Sequence, residues 1–76
     1  MDEGAAKDYL LSNDEHFRQL AAEHQQFERK LAELTGKPFL TIDEQVEETR
    51  IKKKKLALKD QMQALIHRCR TDRSVH

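Results

Sequence analysis

The sequence predicts an all-α protein, more specifically an antiparallel hairpin of two helices with coiled-coil character. Two observations indicate this fold. Apolar residues recur at alternating steps of three and four in two separate stretches, and helix-breaking residues occur together at one interior site, Thr35-Gly36-Lys37-Pro38. The chain has 76 residues, of which 37% are charged and 5% aromatic. We therefore expect a single domain over residues 1–76 with a narrow apolar core.

The first helix is predicted over residues 13–35. Six residues follow one another at steps of 3, 4, 3, 4 and 3 from Phe17 to Leu34, and all but His24 are apolar, which is the repeat of a coiled-coil edge. Ser12 lies three residues before Glu15, which is the spacing of a capping box, so we expect Ser12 to cap this helix. The sequence leaves open a short leading helix over residues 5–11, in which Leu10, one heptad before Phe17, would extend the same edge.

The turn is predicted at residues 36–41 and the second helix over residues 42–70. Gly36 is expected to take the left-handed conformation that ends many helices, and Pro38 prevents the first helix from continuing. Thr41 and Glu44 repeat the capping-box spacing at the start of the second helix. Residues 71–76 lack an apolar period and are expected to fray.

A short turn between two amphipathic helices predicts antiparallel packing, in which the numbers of facing residues have a nearly constant sum. A sum near 78 or 79 brings Leu20 to Leu58 and Phe27 to Ile51. The edge along which the two helices meet is termed the seam. Its predicted members are Phe17, Leu20, His24, Phe27, Leu31, Leu34, Ile51, Lys55, Leu58, Met62 and Leu65.

Four consecutive lysines, residues 52–55, stand in the middle of the second helix. Successive helical residues are about 100° apart, so these side chains point in four directions and do not form one basic stripe. The register instead predicts ion pairs between the helices, namely Glu23 with Lys54, Lys30 with Glu47, and Glu28 with Lys52. Charge also favours folding back, because residues 1–36 carry eight acids and four bases (net −4) and residues 37–76 carry six acids and ten bases (net +4).

A second, weaker apolar stripe lies on the second helix and points away from the seam. It consists of Ile42, Val46, Thr49 and Leu56, with Lys53 in the gap. We therefore predict a non-enzymatic interaction or assembly protein that self-associates or docks on a protein partner by helix packing, for example by pairing two hairpins into a four-helix bundle. The alternative is a set of single exposed apolar residues, with Ile42 packed on Phe39 in the turn.

The alternative function is a small nucleic-acid-associated factor. Its contacts would come from Arg50, Lys52, Lys53, Lys54 and Lys59. The sequence contains no aromatic platform or recognition motif beside these bases, and the many nearby carboxylates oppose a polyanion.

No catalytic, cofactor-binding or metal-binding residue is predicted. His24 is expected to serve as a structural hydrogen-bonding group on the seam. His67 and Cys69 diverge by about 200° on a helix and so do not form a metal pair, and Cys69 fits a small apolar seam position. A two-helix hairpin also has no deep pocket, so we expect no enzymatic activity, no cofactor and no small-molecule substrate.

The expected location is the cytoplasm, without membrane contact. The N-terminal residues are acidic where a signal peptide needs positive charge, and no apolar run reaches the ~20 residues of a membrane span. The single cysteine, Cys69, excludes an intramolecular disulfide and fits a reducing compartment.

Two motifs, Phe17-x-x-Leu20-x-x-x-His24 and the Lys-Lys-x-Lys-Leu-x-Leu-Lys-Asp stretch from Lys52 to Asp60, are specific enough for a family comparison. Residues 10–66 resemble the YdcH-like family of short bacterial proteins. The resemblance implies a helical hairpin with coiled-coil character. It implies no catalytic residues, because the family is a domain of unknown function.

Overall fold

The structure, a computed structural model, describes residues 2–74, with the side chains of residues 2–71. Within this range the chain forms three α-helices, which are α1 over Glu3–Asn13, α2 over Glu15–Thr35 and α3 over Ile42–Ser74. The predicted all-α class is confirmed, together with the short N-terminal helix.

α2 and α3 form the predicted hairpin. Lys30 Nζ of α2 lies 3.6 Å from Glu47 Oε1 of α3, and Lys55 Nζ of α3 lies 3.3 Å from Glu28 Oε1 of α2, so the two helices run antiparallel, side by side. A helix of 33 residues is about 50 Å long, and the longest dimension of the molecule is 53 Å. α3 therefore spans the whole molecule, and the other two helices pack along it.

The turn differs from the prediction at Gly36. Its backbone is right-handed, with φ −76° and ψ −12°, so the predicted left-handed conformation is wrong. The Gly36 N–H still donates to the Ala32 carbonyl at 3.0 Å, and the Lys37 N–H donates to the Leu34 carbonyl at 3.2 Å. The chain thus leaves α2 by a tightened last turn, a common way to satisfy terminal carbonyls.

The start of α3 agrees with the prediction. The Glu44 N–H donates to Thr41 Oγ1 at 3.1 Å, and the Thr41 N–H donates to Glu44 Oε1 at 2.9 Å. This reciprocal pair is a capping box, which satisfies two backbone donors at the helix start.

The start of α2 is shifted relative to the prediction. Ser12 lies inside α1, and the cap of α2 is Asp14, whose carboxylate accepts a hydrogen bond from the Phe17 N–H at 3.0 Å. The predicted Ser12 cap is therefore wrong. Asp caps a helix as well as Ser does, and the extended backbone of Asp14, with φ −120° and ψ 109°, breaks the helix at that residue.

α1 does not continue α2 in line but turns back at Asp14 and packs against both other helices. Gln63 Nε2 of α3 donates to Glu3 Oε1 of α1 at 3.1 Å. In the hairpin register Gln63 lies level with residue 16, whereas an in-line helix would carry Glu3 about 20 Å beyond that level. Leu10 consequently enters the core from α1 rather than extending the edge of α2.

The core lies at the open end of the hairpin, where the three helices meet. Its buried residues are Ala6, Leu10, Phe17, Leu20, Leu58, Met62 and Ile66. Ala6 and Phe17 are completely buried, at 0% exposure. Nearer the turn, Leu34 and Ile51 are buried where only α2 and α3 are present.

The predicted seam residues divide into two groups. Buried are Phe17, Leu20, Leu34, Ile51, Leu58 and Met62, and partly exposed are His24, Phe27, Leu31, Lys55 and Leu65. Ile66, which the sequence analysis missed, is more deeply buried than its neighbour Leu65. Ile66 lines a hollow together with Glu3 and Lys7, which shows that α1 covers this side of α3.

α3 continues to Ser74, beyond the predicted end at residue 70. The stretch from residue 71 to 74 contains no glycine or proline, so nothing in the sequence stops the helix there. The remaining part of the predicted frayed tail, residues 75 and 76, lies outside the described residues.

Candidate partner-docking face

The second apolar stripe of α3 lies on the side of the helix opposite the seam. Ile42 and Ile51 are nine residues apart, so at about 100° per residue their side chains point in opposite directions. Val46, Thr49 and Leu56 lie within about 40° of the direction of Ile42 on the same helical wheel. Ile42, Val46, Thr49 and Leu56 are termed the outer face.

The outer face is exposed to solvent. Ile42, Val46 and Leu56 are 79%, 52% and 59% exposed, whereas Ile51 on the opposite side is 4% exposed. Thr49 is also exposed, and its hydroxyl donates to the Gln45 carbonyl of its own helix at 3.2 Å. Nothing within the described part of the chain therefore covers this face.

Phe39 adds a large aromatic side chain beside the start of the outer face. It is 88% exposed, and Ile42 is 79% exposed, so packing of Ile42 on Phe39 does not account for the apolar stripe. No functional role for Phe39 is predicted from the sequence. The sequence signal for such a role is that Phe39 is an aromatic residue between Pro38 and the cap Thr41 and has no partner in the seam register.

Two cations lie at the middle of the outer face, Lys53 within the row and Arg50 beside it. Arg50 and Lys53 line a surface hollow of about 340 Å³ with Val46 and Thr49. Among the side chains that the structure describes, no carboxylate oxygen lies within 4.0 Å of either cation. Both cations can therefore form ion pairs with groups outside the chain.

A second hollow connects the outer face with the flank of the hairpin. It has a volume of about 390 Å³ and is lined by Val46 and Arg50 together with Phe27 and Ile51 of the seam. A partner lying on the outer face would consequently also reach the partly exposed edge of the α2–α3 contact.

The other predicted nucleic-acid contacts are dispersed, as the helical wheel requires. Lys52 Nζ lies 3.3 Å from Glu48 Oε1 one turn earlier on α3, and Lys54 Nζ stands 5.8 Å from the centre of the Phe27 ring. Lys59 lies further along α3, in a hollow that it shares with Lys7 of α1. The five bases thus do not form one continuous strip.

One of the three predicted interhelical ion pairs is confirmed. Lys30 pairs with Glu47, but Glu28 pairs with Lys55 instead of Lys52, and Lys54 approaches the Phe27 ring instead of Glu23. The two wrong pairings share a cause. A lysine has a long flexible stem, so its ammonium group can bind a carboxylate on its own helix, or a carboxylate or ring on the neighbouring helix about one turn from the position directly opposite.

A cluster of charged residues that the sequence analysis missed surrounds His24. A hollow of about 260 Å³ is lined there by Glu3 and Lys7 of α1, Glu28 of α2, and Lys55 and Lys59 of α3. It exists because α1 folds back over the hairpin, which the local pattern does not reveal. Both acids and bases line it, and Lys55 and Gln63 already bind Glu28 and Glu3.

The N-terminal end of α3, next to the outer face, is held by an ion pair between Lys37 and Glu44. The hydrogen bond from Lys37, followed by that from the Thr41 backbone N–H, lowers the pKa of Glu44 below its ordinary value. The hydrogen bond to Glu44 in turn raises the pKa of Lys37. Both groups therefore stay charged at neutral pH and tie the turn to the helix that carries the outer face.

No three His, Cys, Asp or Glu side chains converge as a metal site in the part of the chain that the structure describes. Cys69 is a free thiol, partly buried against the core. Across the described residues, no helix has a stretch both long and apolar enough to cross a bilayer.

Comparison with known proteins gives one finding. A family model described as a protein of unknown function (DUF465) matches residues 17–66, which is more than half of the chain. YdcH-like proteins are members of that family, so the resemblance predicted from the sequence is confirmed. No curated protein and no solved structure matches the chain.

Proposed function

The chain belongs to the DUF465 family of proteins of unknown function, and we propose that it is a non-enzymatic module that binds protein by helix packing. The binding surface is the outer face of α3. Two forms of this function are self-association, in which two hairpins pair into a four-helix bundle, and docking on a different protein.

The exposure of three aliphatic side chains in one row carries this proposal. Ile42, Val46 and Leu56 are each more than half exposed. Full burial of one such side chain contributes about 1.5–3 kcal/mol, and the exposed fractions of the three together equal about two whole side chains, so covering them contributes on the order of 3–6 kcal/mol. A complex with a dissociation constant of 1 µM needs about 8 kcal/mol, so the flanking groups must add to the apolar contact.

The shape of the surface supports a binding role over a catalytic one. The hollows described above are lined by exposed charged side chains such as Lys30, Arg50 and Lys53. A reacting group usually needs a pocket that removes it from water, whereas a helix needs a long shallow surface.

A pair of matched substitutions tests the proposal. Leu56→Glu places a charge on the outer face, and Gln61→Glu places the same charge at an exposed position of α3 outside it. We expect Leu56→Glu to abolish self-association in sedimentation velocity at tens of micromolar, or to abolish retention of a partner from native lysate. Gln61→Glu should behave as wild type in both assays.

Circular dichroism provides the control, because both variants should retain the helicity and thermal midpoint of the wild type. A chain that sediments as a monomer and whose partners are retained equally by the Leu56→Glu variant contradicts the proposal.

The second candidate is binding of nucleic acid. The observation in its favour is that Arg50 and Lys53 share one hollow and have no carboxylate partner in the described part of the chain. Such binding should weaken steeply between low and moderate salt and should be abolished in Arg50→Glu/Lys53→Glu, but it should survive Leu56→Glu. Leu56→Glu therefore separates the two candidates, because it should abolish helix packing on the outer face and leave binding of nucleic acid in place.

The compartment that we propose for this module is the cytoplasm. Cys69 is a free, partly buried cysteine, and a structural thiol of this kind is compatible with a reducing environment.

A further inference from the structure

We infer that the outer face of α3 receives an acidic amphipathic helix of another protein, rather than a second copy of this chain. The inference rests on the proposed function and adds the chemistry of the partner. It follows from the charges in and beside the apolar row.

The centre of the outer face is cationic. Lys53 lies in the apolar row between Thr49 and Leu56, and Arg50 flanks the row in the hollow that Val46 lines. Lys52, on the other flank, is already engaged by Glu48. The two remaining cations have no carboxylate within 4.0 Å in the described part of the chain.

A second copy fits this arrangement poorly in either orientation. In an antiparallel pair centred on Thr49, Ile42 would face Leu56 of the second copy, but the Arg50 side chains of both copies would lie on the same flank, one residue either side of the centre. In a parallel pair, Lys53 would face Lys53 of the second copy inside the apolar row. Like charges at such positions oppose association, and a single buried charge is a known determinant of coiled-coil partner choice.

A helix with complementary charge removes this conflict. The distance from Ile42 to Leu56 is 14 residues, or about 21 Å of helix. A partner helix of about three heptads, with apolar residues at steps of three and four, would cover the row. Carboxylates of the partner level with Arg50 and Lys53 would pair with these two cations, and such pairs select the partner and the register. The acidic positions of the partner are confined to this level, because Asp43 and Glu47 lie towards the start of α3 and would repel further carboxylates there.

The probes for the test are two synthetic helical peptides of three heptads. Both carry leucine at alternating steps of three and four and alanine at the outer positions. The flanking positions of the middle heptad are glutamate in one peptide and lysine in the other, and the remaining flanking positions are glutamine in both. Binding to the full chain is measured by fluorescence anisotropy at low and moderate salt.

We expect the wild-type chain to bind the glutamate peptide at least tenfold more tightly than the lysine peptide. Arg50→Glu/Lys53→Glu should reverse this preference, so that the lysine peptide binds more tightly. Lys7→Glu/Arg18→Glu makes the same change of net charge at exposed positions of α1 and α2, away from the outer face, and should leave the preference for the glutamate peptide in place. Circular dichroism should show equal helicity for all variants.

Several results would overturn the inference. Equal binding of both peptides that is lost in Leu56→Glu would leave helix docking intact but reject the acidic partner. Absence of binding by either peptide rejects both the inference and this form of the proposed function. Retention of the glutamate preference in Arg50→Glu/Lys53→Glu rejects the acidic partner as well. The inference is also rejected if a short single-stranded oligonucleotide displaces the glutamate peptide from the wild type and Leu56→Glu binds that oligonucleotide as tightly as the wild type does.

Discussion

Replacing Phe17 by alanine should destabilise the chain far more than the same replacement at Phe39. Phe17 is 0% exposed and lies in the core cluster with Leu10, whereas Phe39 is 88% exposed. Burial of a phenylalanine in a packed core makes its truncation cost about 3–5 kcal/mol. Truncation of an exposed side chain usually changes stability by less than about 0.5 kcal/mol.

The expected loss is large relative to the total stability. At roughly 0.05–0.15 kcal/mol per residue, a chain of this length has a free energy of unfolding of about 4–11 kcal/mol. Phe17→Ala should therefore lose between about a quarter and all of the stability of the wild type, while Phe39→Ala should be indistinguishable from wild type. The difference between the two variants should be at least about 2.5 kcal/mol.

The assay is urea unfolding followed by far-ultraviolet circular dichroism at low micromolar concentration, where association contributes least. Phe17→Leu, which retains part of the buried volume, supplies a measurable midpoint if the alanine variant does not fold. Unfolding free energies for Phe17→Ala and Phe39→Ala that agree within about 0.5 kcal/mol would refute the three-helix core described above.

Three further predictions concern the turn. Thr41→Ala removes the acceptor of the Glu44 N–H and should cost about 0.5–2 kcal/mol in urea unfolding, and a loss below about 0.2 kcal/mol would contradict the capping box. Gly36→Ala should change stability by less than about 1 kcal/mol, because the backbone of Gly36 is right-handed and the added Cβ would lie 3.3 Å from the Ala32 carbonyl oxygen; a loss of about 2 kcal/mol or more would indicate a left-handed turn instead. The lowered pKa of Glu44 implies a contribution to stability that is complete at neutral pH and is lost as pH falls through its folded-state pKa, so thermal midpoints of Glu44→Gln should decline less with acidification than those of the wild type. If both chains decline in parallel, the ion pair with Lys37 contributes nothing.

The hairpin could be predicted because its determinants are local and repeated. Apolar residues at steps of three and four define the inward edges of α2 and α3, and the capping box of Thr41 and Glu44 marks the start of α3. The same spacing also predicts the outer face. These features follow from helical periodicity, which the order of residues contains directly.

The fold-back of α1 could not be predicted in the same way. Ser12, Asn13 and Asp14 are all good helix caps, so the sequence does not show which of them breaks the helix. Once the break is at Asp14, Leu10 and Ala6 enter the core and Ile66 is covered. A displacement of two residues in one cap thus decides whether the molecule has two packed helices or three.

The charged side chains were the least predictable part of the candidate site. The register correctly paired Lys30 with Glu47, but Glu28 is taken by Lys55. Exposed ion pairs are worth only about 0.2–1 kcal/mol, so small differences in reach decide between neighbouring partners. The sequence therefore does not show that Arg50 and Lys53, on which the proposed acidic partner rests, have no carboxylate within 4.0 Å in the described part of the chain.

The opposition between the buried and exposed sides of α3 is tested most directly by solvent paramagnetic relaxation of methyl groups in the isolated chain at low concentration. With a soluble paramagnetic probe, the methyl signals of Ile42, Val46 and Leu56 should broaden strongly, and those of Ile51 and Leu58 should be largely protected. Broadening of Ile51 and Leu58 as strong as that of Leu56 would contradict the account.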